Sequence, residues 1–297
     1  MRGDRLGELF FQYLMAGLTY GMIYAVVGMG FNIIYNATGI INFAQGEFVM
    51  LGGMIAVSLA AVVPLPLAIA GAVLATMFVG ALLEMVFIRW LSGPSVLRMI
   101  VITIGLSILI REAALLVWGQ GVRALPYFTG NEVSSLSVGG ARMSPQVVWT
   151  LGVCAAMVVL ITAFFRWTMT GKQMRACASD RTAASLCGLP TRNLVTLSIV
   201  LSAGMGALAG CVVSPITYTQ YNVGTPLAIK GFTVAILGGL GSSLAAVIAG
   251  LVLGVIEAFT VSLVPTAYKD AVAIALLLVI LFVRPTGLFA ARAAYRP

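Results

Sequence analysis

Nine apolar stretches follow one another along the chain, at approximately 9–35, 48–63, 65–88, 96–118, 147–165, 194–213, 227–240, 243–264 and 267–283. Most are longer than a buried strand or a short core helix requires, whereas a hydrocarbon core about 30 Å thick takes about 20 helical residues at about 1.5 Å each. They are apolar all round, without the polar and apolar alternation of a transmembrane β-barrel strand. A chain of 297 residues with 9% charged side chains also lacks the charge to cover a soluble domain. These features predict an all-α, polytopic transmembrane helical bundle with about eight crossings, one or two windows being broken or re-entrant helices. The whole sequence, 1–297, forms a single membrane domain whose solvent on most sides is the lipid bilayer.

Seventeen basic residues against nine acidic ones give a net charge of +8. Their placement at window ends and in short connections argues for orientation in a membrane, not for nucleic-acid binding. Arg89 and Arg98 flank one connection, Arg166, Lys172, Arg175, Arg181 and Arg192 fill another, and Arg284, Arg292 and Arg296 follow the last window. All three groups belong in the cytoplasm by the positive-inside rule. The connection 119–146 then lies outside, and the stretch 227–264 turns back near 238–243. The N-terminal orientation stays open, because 36–47 either completes a loop or forms a discontinuous helix inside the membrane. The first apolar run is too long for a signal-peptide core and reads as a retained crossing.

Small residues recur at helical spacing in Gly17-x-x-x-Gly21, Gly206-x-x-x-Gly210 and Gly250-x-x-x-Gly254. Such pairs let a second helix backbone approach closely, so they predict a packed bundle. The four cysteines, Cys154, Cys177, Cys187 and Cys211, have no C-x-x-C pairing and read as small apolar filler; His is absent. Neither a catalytic group, a metal site nor a bound cofactor is expected.

Polar residues inside the windows carry more information. Residues 38–53, TGIINFAQGEFVMLGG, bring Asn42, Gln45 and Glu47 among glycines. A carboxylate at mid-membrane costs about 2.5 kcal/mol or more, so these groups face a cavity, another helix or an interface. They are candidates for a substrate path, with interhelical glue or an interfacial loop as the alternative. Glu84 lies near Arg89 and Glu112 adjoins Arg111, which suits interfacial pairing. Glu257 sits late in a long window without a close partner in sequence, and either supports the bundle or lines a path. Lys269 and Asp270 suit an outer anchor, and the polar connection 214–226 suits either a solute or an ordinary turn.

The longest cytoplasmic insertion is 166–192. Its alanines favour a short helix that Gly188 and Pro190 end. Such a helix either transmits a partner's movement or acts as a basic anchor.

Three stretches together resemble a known family: GLTYGMIYAVVGMGFNIIYNATGIINFAQGEFVMLGG, GKQMRACASDRTAASLCGLPTRN, and KGFTVAILGGLGSSLAAVIAGLVLGVIEAF with the following YKDAVAIALLLVILFVRPTGLF. They are similar to the LivH-type permease subunit of bacterial ABC importers for branched-chain amino acids, in the family order and over nearly the whole chain. At Gln45 the chain departs from the commoner form, where His is frequent. The resemblance implies a fold of the bacterial ABC-importer permease type and a multi-pass protein of the bacterial inner membrane. It implies a related second permease subunit, two cytoplasmic ATPase subunits and a periplasmic solute-binding protein as partners. Within 171–189 it makes Gly171, Arg175, Ala176, Asp180, Ala184 and Gly188 the coupling segment that docks onto an ATPase. The chain has no G-x-x-x-x-G-K-[ST] phosphate loop, so ATP is used by the partner subunits. Importers of short amides or urea-like solutes, and more distantly secondary transporters or channels, are the other readings.

Overall fold

The computed structural model describes residues 2–89, 96–130, 134–138, 141–263, 265 and 268–284. Arg292 and Arg296 of the last basic group lie outside the described residues, as do the side chains of Lys269 and Asp270. In order the elements are α1 (Arg2–Thr38), α2 (Gln45–Ala60), α3 (Leu65–Leu83), α4 (Val96–Trp118), β1 (Leu136–Val138), β2 (Ala141–Met143), α5 (Pro145–Trp167), α6 (Met169–Ser179), α7 (Arg181–Leu186), α8 (Thr191–Thr217), α9 (Gly224–Gly238), α10 (Ser243–Leu263) and α11 (Lys269–Val283). Each apolar window is a helix. Among the described residues six helices are long and apolar enough to cross a bilayer, and α2, α9 and most of α11 are shorter apolar helices.

Burial sorts these helices by position. In α1 and α8, 67% and 72% of the most apolar window is buried, against 22%, 22% and 28% in α3, α4 and α5. α1 and α8 therefore form the centre, and the other three turn most of their surface outward, as a lipid solvent permits. Leu74, Phe78, Leu116, Val159 and Leu160 are exposed on these outer helices without the penalty they would carry in water.

Close backbone contact builds the centre. Two of the glycine pairs meet each other across antiparallel α1 and α10. A methyl group on Gly17 would lie 2.7 Å from the Val255 Cα, and one on Gly21 2.8 Å from the Gly250 carbonyl oxygen. The third pair serves α2 on α8, where a methyl on Gly210 would overlap the Val49 carbonyl. Dispersion between touching backbones holds these helices together where water exclusion cannot.

The ends of the bundle can be told apart. α6, the 239–242 turn and the start of α8 share one end with the C-terminus of α1, where Asn36 Nδ2 donates to the Gly241 carbonyl at 3.0 Å and Asn32 Nδ2 to the Ser242 carbonyl at 3.1 Å. Gly239 and Gly241 make this turn with φ of 95° each. It carries Arg166, Lys172, Arg175, Arg181 and Arg192, and is called the inner end here. At the opposite end the tilted rings of Phe10 and Phe259 lie 5.2 Å apart, so α1 begins there. The same end holds a paired bridge between Arg123 and Thr219, and the β1–β2 hairpin with Leu136 opposite Met143. The connections 119–130 and 218–223 are thus neighbours.

α3 continues into one π-helical turn, Glu84–Ile88, closed by the Arg89 N–H on the Glu84 carbonyl at 2.8 Å. The extra residue turns Glu84 inward, where it accepts from Thr196 Oγ1 of α8 at 2.7 Å. Its partner is this hydroxyl and not Arg89.

Candidate functional site

Helix length defines the site. At about 1.5 Å per residue, α2 and α9 reach about 24 Å and 22 Å, short of a hydrocarbon core about 30 Å thick. Each is completed by a non-helical lead. Residues 39–44 re-enter from the inner end, and α2 starts beside α1, with the Gln45 amide against Gly30, eight residues before α1 ends. Residues 218–223 re-enter from the outer end, and α9 starts beside α2, with Gly224 against Gly46 and Glu47. The N-termini of two half-helices therefore meet inside the bundle, one helix running outward and the other inward. The open choice for 36–47 resolves to a discontinuous helix.

Glu47 lies at this meeting point and is fully buried. Its Oε1 accepts from Ser107 Oγ of α4 at 2.9 Å and from Thr225 Oγ1 of α9 at 3.1 Å. Its Oε2 has no hydrogen-bond partner and abuts Gly224, where any Cβ would overlap it. A carboxylate in the first turn of α2 and beside the first turn of α9 faces the positive ends of two helix dipoles, which offsets part of its desolvation. Arg111 Nη1 reaches Thr225 Oγ1 at 3.5 Å, and Arg111 Nε pairs with Glu112 Oε1 at 3.4 Å, the neighbour that sequence suggested.

The amides at the inner edge of the junction are occupied within the chain. Asn42 Oδ1 accepts from the Ala44 N–H at 3.0 Å and so shapes the turn into α2. Gln45 is fully buried: its Nε2 donates to the Ser202 carbonyl at 3.2 Å, and Ser202 Oγ, which donates to Gly30 O at 2.9 Å, also contacts its Oε1. In this conformation Asn42, Gln45 and Glu47 are all buried.

Lys230 is the residue that sequence reading passed over. It projects from α9 with 8% of its surface exposed and forms an ion pair with Glu257 of α10 at 2.5 Å. Its Nζ also donates to Tyr24 Oη at 3.2 Å and lies 5.1 Å from that ring's centroid. A single buried Lys and a single buried Glu of opposite sign in two apolar windows were the available signal. Their separation of 27 residues matches no helical period.

At the inner end α6 and α7 form a bent pair. Thr168 caps α6 by accepting from the Gly171 N–H at 3.0 Å, and Gly171 lets α6 lie directly on the Phe164 and Phe165 backbone of α5. Asp180 interrupts the insertion's helix and caps α7, accepting from the N–H groups of Thr182 and Ala183 at 2.8 and 2.9 Å. Ala184 is buried, and Gly188 closes α7 with φ of 78°. Arg175 and Ala176 face outward. One expected helix is thus two, because Asp180 satisfies the second helix's N–H groups better than it would continue the first. Cys177 is buried on the inner side of α6, where burial pushes its thiol up and Arg181 opposes that. Cys187 is exposed, unlike the other three, so the filler reading fails for it.

The chain matches the family model described as branched-chain amino acid transport system / permease component over residues 13–281. It is 34% identical to the high-affinity branched-chain amino acid transport system permease protein BraD of Pseudomonas aeruginosa, over 94% of this chain and 95% of that one. The corresponding protein LivH of Escherichia coli K12 is also 34% identical, with the same coverage. In fold the chain is similar to a chain of PsaBC from Streptococcus pneumoniae solved with a Fab, with TM-score 0.50 at 16% identity, covering 93% of this chain and 92% of that chain. A multi-pass helical bundle with two half-helices meeting inside it, alike over 94% of its length to these permeases, belongs to the branched-chain amino acid transport permease family.

Proposed function

We propose that this chain is the membrane-embedded permease subunit of an ATP-driven importer that moves branched-chain amino acids into the cytoplasm by alternating access. The observation that carries the reading is the meeting of α2 and α9 at Glu47 and Gly224, in a chain of this family. Discontinuous helices place polar groups at membrane depth, and the buried Glu47 carboxylate at their junction has the charge that the ammonium group of an amino acid needs. Asn42, Gln45 and Glu47 border the path once the half-helices tilt apart, and in the closed arrangement they satisfy one another's neighbours instead.

The work comes from outside the chain. One of two cytoplasmic ATPase subunits docks on the α6–α7 pair, with Arg175 and Ala176 on the contact face and Gly171, Asp180, Ala184 and Gly188 holding its shape. A second, related permease subunit completes the pore, and a periplasmic solute-binding protein delivers substrate in the bacterial inner membrane. Reversing a 1:99 bias between two access states takes about 5.5 kcal/mol of differential binding, which nucleotide-driven closure supplies through α6. The chain makes no covalent bond.

Reconstitution with the ATPases and the binding protein tests this. Leucine, isoleucine or valine uptake should require both ATP and the binding protein. Uptake by this chain alone on an ion gradient would reject the assignment, and competition by urea or a short amide but not by leucine would reassign the substrate.

A further inference from the structure

The inner end holds a cavity of about 340 Å³ between α5, α6 and the start of α10. Arg166 and Arg175 line it, together with Asn36, Ser242 and Ser243, and no acidic residue does. Neither guanidinium is paired with a carboxylate among the described residues. α10 begins at Ser243, so its positive dipole end adds to the two arginines. The cavity is built for an anion.

A second cavity of about 200 Å³ adjoins the first and shares Thr162, Arg166 and Leu244 with it. Its remaining walls are Val158, Val159, Ala163 and Trp167 of α5, all apolar. Val159 and Trp167 are 65% and 73% exposed on the lipid-facing side of α5. Thr162 Oγ1, on the shared wall, is buried without a hydrogen-bond partner. A phosphate pocket opening into an apolar groove at the bilayer edge matches one class of molecule: a negatively charged head joined to an acyl chain.

We propose that this chain binds an anionic phospholipid here, the phosphate between Arg166 and Arg175 and an acyl chain along Val159 and Ala163. A free inorganic anion would use the arginines but leave the groove idle. A zwitterionic lipid would use the groove but bring a cationic group to two arginines. Because Arg175 stands on α6 and Arg166 on α5, the bound phosphate bridges the insertion to the membrane helix before it. Basic pockets at this membrane face select anionic head groups through the same charge complementarity.

The test uses the purified full chain, with native mass spectrometry reading retention of phosphatidylglycerol against phosphatidylcholine of identical acyl chains. Phosphatidylglycerol should be retained preferentially, with affinity falling roughly five-fold for R166Q or R175Q and on the order of twenty-five-fold for both together. A163W, which fills the groove and leaves both arginines, should also weaken retention, while millimolar inorganic phosphate should not displace the lipid. Equal retention of the two lipids, or unchanged phosphatidylglycerol binding in the double variant, overturns the proposal. Displacement by inorganic phosphate with no effect of A163W assigns the cavity to a soluble anion and overturns it too. The single arginine variants alter exposed side chains, so their monodispersity on gel filtration separates lost lipid from lost fold.

Discussion

Replacing Lys230 by Met should destabilise the bundle far more than replacing Lys230 and Glu257 together. The two charged atoms stand 2.5 Å apart with Glu257 only 2% exposed. At an effective dielectric of about 20 their attraction is about 6–7 kcal/mol, which is of the same order as the several kcal/mol that each ion lost on leaving water. The pair is therefore close to neutral against an apolar pair of similar size. Removing one partner is different, since it leaves the other buried without its counter-ion at a cost of about 3–5 kcal/mol. The Tyr24 hydroxyl, 3.2 Å from Lys230 Nζ, softens the loss when Glu257 is the residue replaced. Unfolding of K230M, E257L and K230M/E257L in mixed micelles, followed by circular dichroism, should give single losses in that range and a double variant that recovers most of either. Single losses below about 1 kcal/mol, or a double variant whose loss equals the sum, would refute the reasoning.

Three further outcomes are expected. G210A should fail to yield monodisperse protein, because its methyl would overlap the Val49 carbonyl, whereas G105A, with open space around it, should fold at parental yield on gel filtration. D180A should lose about 1 kcal/mol of local stability in α7, seen as faster amide exchange at Thr182 and Ala183 with the rest of the chain unchanged; D180N should retain most protection. A maleimide at pH 8 should label Cys187 alone in the folded chain and all four cysteines in denaturant: Cys187 is exposed, while Cys177 is buried and its raised pKa lowers the thiolate fraction at any given pH.

The crossings were legible because hydrocarbon imposes a length and a composition that loops cannot imitate. Gly17, Gly21, Gly250 and Gly254 announced close packing but not that the two pairs face each other, which depends on the antiparallel register of α1 and α10. The starts of α2 and α9 were misread. The windows opened at 48 and 227 because Gln45, Gly46 and Glu47, and Gly224, Thr225 and Pro226, look like loop; they are the first turns of half-helices, buried at Gln45, Gly46, Glu47 and Gly224. Asp180 was visible as polar within a helical stretch, yet its capping role needs the backbone bend. Lys230 and Glu257 were each visible as a lone charge, and only the packing of α9 on α10 makes them one feature.

That pairing also bears on how the chain enters a membrane during synthesis. α9 is 15 residues long and carries a lysine worth about 2.5–3.5 kcal/mol against insertion near a helix centre. Its counter-charge emerges from the ribosome only with α10, so the two segments must leave the translocon as one hairpin. A nascent chain arrested before Ser243 should therefore leave α9 unintegrated, and extension through Leu263 should bring both segments into the lipid phase together.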